Sequence, residues 1–358
     1  MRTPAPSSRR GIAMIIVMIS IAVLTVLAAG FAYSMRVETK LARNANNESE
    51  LEWLGRSGVE YARWILAEQL KIGAEPYDGL NQVWAGGEGG IGTTNSPLVD
   101  VQREVKLGRG SFTWKITDLE RKVNINTAGE ATLQKAFILM GVDAGEITPL
   151  VGSILDWIDP DNQPHIQGAE DDYYQSLDPP YFAKNGPIDD LSEMLLIKGI
   201  TPELYWGVSA TNHPPAHFQP RADALATPGA MPTFSAGLAD LFTPISDGKI
   251  NINTASAEVL QLIPGVDEII AQAIVAGRSG ADDGIGMLSG PYRSIAQVRR
   301  VPEVSLEVER MISMMCDVRS RTFQVEIDAK AGGYSRKFNA ILVRNNINDV
   351  QVLTFDWE

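Results

Sequence analysis

Cysteine and histidine are nearly missing from this 358-residue chain, which holds one cysteine and three histidines. The single thiol, Cys316, cannot form an intramolecular disulfide, and so few sulfur and imidazole ligands exclude Cys-rich zinc sites. His213 and His217 stand four residues apart, but two prolines between them exclude a helix that would align both rings as metal ligands. We expect both histidines to be loop residues.

Positive charge is also scarce. The chain has 31 lysines and arginines against 44 aspartates and glutamates, which gives a formal charge of −13. Nucleic-acid binders draw much of their affinity from cationic contacts with phosphates, so this balance argues against that class. Hydrophobic residues make up 44% of the chain, which is too few for a polytopic membrane protein. The length suffices for two or more folding units.

One segment lacks charge altogether. No charged residue occurs between Arg10 and Arg36, and this run exceeds the ~20 apolar residues that span a bilayer as a helix. Basic residues precede the run, so the positive-inside rule leaves the short N-terminus in the cytoplasm and exports the rest. No proline interrupts residues 7–75, and apolar residues continue at helical spacing. The sequence predicts a membrane helix that runs into an amphipathic one; two helices with a hinge near NANNES are the alternative.

The start of this segment carries a further signal. A short basic leader, then Gly11, then an uninterrupted apolar helix resemble the type IV pilin-like signal. The resemblance implies that a prepilin peptidase cuts after Gly11 and methylates the new N-terminus at Ile12, while the helix stays on the mature protein. The glutamate usual at the fifth mature position is replaced by Ile16. A plain single-pass anchor also explains the hydropathy.

The rest of the chain divides into strand-like ends and a helical middle. Two alternating runs around Gly108–Gly110 predict a β-hairpin, and three more runs predict strands near the C-terminus. We predict an α+β fold in which a pilin-like long N-terminal helix packs on a small antiparallel sheet, with a large helical domain (SAM-like or helix-hairpin-helix-like) inserted between strands. The predicted segments are a leader at 1–11, a transmembrane and amphipathic helix at 12–75, a linker with the first strands at 76–123, the inserted domain at 124–318, and the C-terminal strands at 319–358.

The helical middle contains an internal repeat. KVNINTAGEATLQ at 122–134 and KININTASAEVLQ at 249–261 are nearly the same phrase. Each is typical of a helix start, and Thr127 with Glu130 predicts a capping box. The second copy continues into a helix-hairpin-helix pattern in which Pro-Gly-Val precedes Asp267 and a further acid. Carboxylates there would repel the phosphate that nucleic-acid-binding hairpins hold, so we expect the hairpin to serve packing or a protein partner.

The densest chemical pattern is acidic. Residues 156–172 hold six carboxylates and almost no basic partner: Asp156, Asp159, Asp161, Glu170, Asp171 and Asp172. Such density is costly without neutralisation, and a hard divalent cation is the natural remedy. The spacing from Asp159 follows an EF-hand loop in part, but Pro164 stands where that loop needs glycine. We predict a calcium-type oxygen site in a loop of its own geometry. A solvated acidic loop and a glycosidase-like carboxylate pair are the alternatives.

Taken together, these features resemble one family. The leader and apolar helix, the two NINTA phrases, DWIDPDNQPHIQGAEDDYY and PPYFAKNGPIDDLSEMLLIKGIT are similar in kind and order to the K-type minor pseudopilins of type II secretion systems. The resemblance implies a structural, non-enzymatic subunit at the pseudopilus tip, anchored in the bacterial inner membrane by one helix with its C-terminal bulk in the periplasm. The implied partners are the I- and J-type minor pseudopilins, the major pseudopilin and prepilin peptidase, without nucleic acid.

The resemblance also implies calcium bound in the helical domain. On this sequence the ligands map to Asp156, Asp159, Asp161, Glu170 and Asp171. It further makes Ile16 a marker of the tip position: in pilin-like filaments the missing glutamate pairs with the N-terminal amine of a neighbouring subunit, and an unpaired charge in the membrane is expensive. A tip subunit has no neighbour ahead of it. The alternative function is a membrane-tethered DNA-uptake protein that uses the helix-hairpin-helix.

Overall fold

The computed structural model describes residues 10–90, 93–207, 234, 236–279 and 290–357. The α-helices of these residues are α1 Arg10–Lys71, α2 Glu130–Met140, α3 Ala144–Ile158, α4 Asp171–Tyr174, α5 Pro202–Trp206, α6 Leu238–Leu241, α7 Ala257–Gln261, α8 Glu268–Arg278 and α9 Leu306–Met315. The strands are β1 Glu104–Leu107, β2 Gly110–Asp118, β3 Val123–Asn124, β4 Phe242–Thr243, β5 Ile250–Asn251, β6 Cys316–Asp317, β7 Thr322–Ala331, β8 Tyr334–Asn346 and β9 Asp349–Trp357. Short 3-10 turns lie at Val83–Ala85, Thr93–Asn95, Pro97–Asp100, Ile125–Thr127, Leu191–Leu196 and Ile295–Arg300.

α1 is one continuous helix, so the alternative of two helices with a hinge is wrong. Residues 13–42 are exposed throughout. The helix is long and apolar enough to cross a membrane: an 18-residue window of it has a mean hydropathy of 2.7, and none of that window is buried. From Leu51 onward one face of α1 is buried, because apolar residues recur at helical spacing against the sheet.

The sheet has five antiparallel strands in the order β1-β2-β7-β8-β9. Alternate residues of β7 point at α1 and are buried, as the period of two requires. The helix approaches closely at two glycines: a Cβ on Gly55 would lie 2.5 Å from the ring of Phe338, and one on Gly58 would lie 2.7 Å from Ile327. Glycine at these positions therefore sets how closely α1 packs on the sheet.

The chain between β2 and β7 forms the inserted domain, and its hydrophobic core is separate from the core under α1. Each NINTA phrase opens with a two-residue strand in a parallel pair, β3 with β4 and β5 with β6. Each then leads into a helical hairpin, α2 with α3 and α7 with α8. The predicted α+β fold, with its long N-terminal helix, antiparallel sheet and inserted helical domain, is confirmed.

The predicted capping box is wrong. Thr127 lies in a 3-10 turn. The N-cap of α2 is Gly129, which has no side chain to cap the helix. The cause is that the NINT turn extends beyond the threonine before the helix starts. In the second copy the corresponding function falls to Ser256, whose side chain accepts a hydrogen bond from the N–H of Val259.

Candidate functional site

The acidic cluster lies at the end of α3 and in the loop that follows it. Asp156, in the last turn of α3, is fully buried. Its Oδ1 accepts a hydrogen bond from the backbone N–H of His165 at 2.8 Å and is joined to the Nδ1 of the same residue at 2.6 Å. Its Oδ2 accepts from the N–H of Ala169 at 2.6 Å. Every oxygen of Asp156 is thus used to hold the loop against the helix.

Glu170 and Asp159 differ from Asp156 because they bury oxygens that have no partner. Glu170 is 5% exposed, and neither of its carboxylate oxygens has a hydrogen-bond partner. The Oδ1 of Asp159 is likewise buried and unpartnered. One oxygen from each of Asp159, Asp161 and Glu170 lies within 4.8 Å of the other two. Burying a carboxylate without a donor costs free energy, and a cation among these oxygens would offset that cost.

The electrostatics of the cluster agree with this geometry. Burial, followed by the neighbouring carboxylates of Asp156, Asp159 and Asp161, raises the pKa of Glu170 to about 7. Burial and then Asp161 raise the pKa of Asp159. The hydrogen bond to the Asp156 carboxylate raises the pKa of the His165 imidazole. Without a cation the cluster therefore resists full ionisation, and a divalent cation would reverse that preference.

The predicted ligands do not all converge. Asp171 begins α4, and its Oδ1 accepts a hydrogen bond from the N–H of Ala183 at 2.9 Å. It belongs to neither of the two potential metal-binding groups found among the described residues. The second group joins Asp156 and Asp159 to His165, a residue that the sequence reasoning left unassigned. The position of His165 among the acids of DPDNQPHIQGAE was the sequence feature that could have indicated this role. The individual ligand assignments stay predictions.

The geometry bears on the alternatives to a metal site. A purely solvated acidic loop would leave its carboxylates in water, whereas both oxygens of Glu170 are buried. A glycosidase-like acid must reach its substrate, which the covered Glu170 cannot do in this arrangement. The set of oxygens suits a hard cation such as calcium.

The N-terminal signal is described in part. Gly11 and Ile12 lie in the first turn of α1, whereas residues 1–9 of the predicted leader, as well as His213 and His217, lie outside the described residues. Ile16 is 59% exposed, within a long row of exposed apolar side chains on α1. Such a surface requires a bilayer or other apolar helices around it.

The helix-hairpin-helix of α7 and α8 is closed to phosphate at its tip. The Oδ1 of Asp267 accepts a hydrogen bond from the N–H of Ile270 at 2.8 Å and so occupies the N-terminus of α8. The Nζ of Lys135, from α2, donates to the carbonyls of Ile263 and Val266 at 2.8 and 3.0 Å. The amides that would bind a phosphate face a carboxylate, and the nearby cation is engaged in packing, so the DNA-binding alternative is not favoured.

Comparisons with known proteins agree with this architecture. The family model for type II secretion system protein K matches residues 115–209, and a helix-hairpin-helix motif model matches residues 246–308. Type II secretion system protein K of Aeromonas hydrophila is 23% identical over 363 residues, which cover 97% of each chain. That of Pseudomonas aeruginosa is 24% identical over 275 residues, 75% of this chain and 72% of the relative. A protein K relative from Escherichia coli K12 is 26% identical over 216 residues, and the match spans 60% of that relative's length.

A solved structure shows the same fold. A chain in the GspK-GspI-GspJ complex from the type 2 secretion system of enterotoxigenic Escherichia coli superposes with a TM-score of 0.60 at 17% identity, over 88% of this chain and 99% of the other. The matched structure and the matched sequences agree with the fold described above, with its long helix, its sheet with an inserted helical domain and its second hairpin. Together, these matches support the recognition of this chain as similar to type II secretion system protein K, the K-type minor pseudopilins.

Proposed function

We propose that this chain caps the tip of the type II secretion pseudopilus, where it assembles with I- and J-type minor pseudopilins and starts the filament of major pseudopilin that exports folded proteins. The observation that carries this proposal is the inserted domain, residues 119–321, placed between the neighbouring strands β2 and β7. A shaft subunit is surrounded by other subunits, so a domain of this size would obstruct its packing. At the tip there is room for it.

Ile16 supports the same position. A carboxylate within an apolar segment is expensive unless a neighbouring charge pairs with it. A subunit with no neighbour ahead of it would leave such a carboxylate unpaired, and isoleucine avoids that cost. The absence of the glutamate is therefore consistent with a tip subunit and not with a shaft subunit.

The N-terminus supports processing and a single membrane anchor. The exposed apolar part of α1 would span the inner membrane, with the sheet and the inserted domain in the periplasm. Prepilin peptidase would cut after Gly11 and methylate Ile12. Mass spectrometry of the mature protein tests this step: we expect a chain that begins at methylated Ile12, and an N-terminus at Met1 in a host with active peptidase would contradict it.

The acidic cluster supports a calcium site. Asp159, Asp161 and Glu170 would hold the ion, since their oxygens converge and three of them are buried without partners. The ion would supply the positive charge that the loop lacks. We expect calorimetry to show calcium binding that is lost in Glu170→Gln and kept in Asp172→Asn, a matched control whose carboxylate is exposed on the surface.

The tip position is tested by locating the protein on pseudopili. We expect gold-labelled antibody against the inserted domain to mark one end of each filament, and the full-length protein to co-purify with I- and J-type minor pseudopilins from membranes. Labelling along the shaft would contradict the proposal. So would wild-type filament number in cells that lack the protein, because a subunit that starts the filament is needed for its assembly.

A further inference from the structure

The acids of the cluster fall into two kinds. Asp156 has both oxygens satisfied by the loop, through His165 and Ala169. Glu170 has both oxygens buried and unsatisfied. These two carboxylates are both nearly inaccessible, at 0% and 5% exposure, so solvent does not explain the difference. Their neighbours do: one carboxylate is surrounded by N–H donors and the other by carboxylates.

The loop is fitted closely to α3 at the point where Asp156 holds it. Gly168 has no room for a side chain, because a Cβ there would collide with the Oδ2 of Asp156. On the helix, a Cβ on Gly152 would lie 2.9 Å from the carbonyl oxygen of Ile166. Two glycines thus allow the loop backbone to approach the helix within hydrogen-bond reach of Asp156.

A lysine holds the same stretch through its backbone carbonyls. The Nζ of Lys198 donates to the carbonyls of Gln167 and Gly168, at 3.2 and 3.0 Å. Gln167 itself has a φ of 61°, a left-handed backbone conformation that residues other than glycine rarely adopt without tertiary support. Contacts with Asp156 and Lys198 therefore hold the segment just before Glu170.

We propose that Asp156 is a positioning residue of the metal site and not one of its ligands. It fixes the loop so that Asp159, Asp161 and Glu170 converge before any ion arrives. The inference rests on the proposed calcium site and departs from the ligand set that the family resemblance implies. The physical reason is that an oxygen already accepting short hydrogen bonds from N–H groups has little capacity left for a cation, whereas the unpartnered oxygens have all of theirs.

The two roles predict opposite effects on the metal-free protein. Asp156→Asn replaces one of the two acceptor oxygens that hold the loop with an NH2 group, which cannot accept a hydrogen bond, so the melting temperature of the calcium-free protein should fall by roughly 5 °C. Calcium should still bind, about 10- to 100-fold more weakly, as is usual when a supporting residue is lost. Glu170→Gln removes an unpaired buried charge, so the calcium-free protein should melt at the same or a higher temperature while calcium binding is lost.

The experiment uses the full-length protein in detergent after treatment with a chelator, with calorimetric titration of calcium and thermal unfolding without it. If Asp156→Asn abolishes calcium binding and leaves the calcium-free melting temperature unchanged or raised, Asp156 is a ligand and the proposal is overturned. His165→Ala serves as a milder variant if Asp156→Asn does not fold. It leaves the backbone contact in place, so calcium binding should persist within about tenfold; its complete loss would also overturn the proposal.

Failure of the calcium site itself remains distinguishable. If the wild-type protein binds no calcium, the proposed function of the cluster fails, but the positioning role still predicts slow hydrogen exchange at the amide of Ala169 that becomes fast in Asp156→Asn. Fast exchange at this amide in the calcium-free wild-type protein would show that Asp156 does not hold the loop.

Discussion

The two NINTA phrases have the same internal geometry. In the first, the Oδ1 of Asn124 accepts a hydrogen bond from the N–H of Asn126, whose own side-chain amide pairs with the backbone N–H and carbonyl of Ile188. In the second, Asn251 and Asn253 repeat the arrangement, and Asn253 pairs in the same way with the backbone of one residue, Tyr292. Identical residues at identical spacing thus produce the same turn twice.

The outward contacts of the two phrases differ. The Nδ2 of Asn124 donates to the carbonyl of Ser246, within the inserted domain. The Nδ2 of Asn251 donates at the junction with the sheet, to the Oδ2 of Asp118 at 3.0 Å, the Oγ of Ser320 at 2.7 Å and the carbonyl of Asp78 at 3.1 Å.

Other junction contacts extend this network. Thr254 donates to the same Oδ2 of Asp118 at 2.5 Å, and Arg344 pairs with Asp78 in a fully buried ion pair. The first phrase organises its own domain, and the second attaches the domain to the helix–sheet part. A repeat in sequence therefore predicts the local turn and not the partner that the turn binds.

The largest expected effect separates the two leading asparagines. Asn251→Ala leaves the buried Asp118 and Ser320 short of a donor and should lower the free energy of unfolding by about 3 kcal/mol, whereas Asn124→Ala should cost about 1 kcal/mol. Denaturant unfolding of the two variants measures the difference. Equal losses would mean that the second phrase does not attach the domain as the contacts indicate.

A pH dependence is expected at the junction. Burial, followed by Glu120, raises the pKa of Asp118 to about 8, with Asp78 adding and hydrogen bonds from Ser320 and Thr254 opposing. Because the folded-state pKa lies above the unfolded one, the native state binds more protons between about pH 4 and pH 8, and stability falls as pH rises through this range.

Replacing the carboxyl isolates this contribution. From pH 5 to pH 8 we expect wild type to lose more stability than Asp118→Asn, measured by thermal unfolding at each pH. Parallel profiles for the two proteins would show that Asp118 is ionised throughout.

The smallest effect compares the two threonines. Thr254→Val removes the hydroxyl that donates to Asp118 inside the junction, at a cost of about 1–2 kcal/mol. Thr127→Val alters an exposed residue whose hydroxyl donates weakly to the carbonyl of Asn124, so the change should be about 0.5 kcal/mol or less. A greater loss from Thr127→Val would reverse the comparison.

Much of the fold followed from periodicity. The uncharged run, the helical spacing after it and the alternating runs at both ends predicted α1 and the five strands, because local patterning decides which face of an element can be buried. The predicted capping box at Thr127 was wrong, because the 3-10 turn at Ile125–Thr127 places the start of α2 further on, at Glu130. The acidic cluster was found by composition, but the separate roles of Asp156, Glu170 and His165 depend on contacts made across a loop.

The sequence alone determined the long apolar helix, the α+β class, the repeated turn and the place of the acidic cluster. Each of these depends on residues close together in the chain, whose chemistry acts whatever the rest of the molecule does. Only the tertiary structure decided which NINTA phrase reaches the sheet, that Asp118 would be buried beside it, and which carboxylate oxygens remain without a donor. These outcomes depend on contacts between residues that are distant in the chain, such as Asp78 and Arg344. Burial and hydrogen-bond satisfaction exist only once those residues meet.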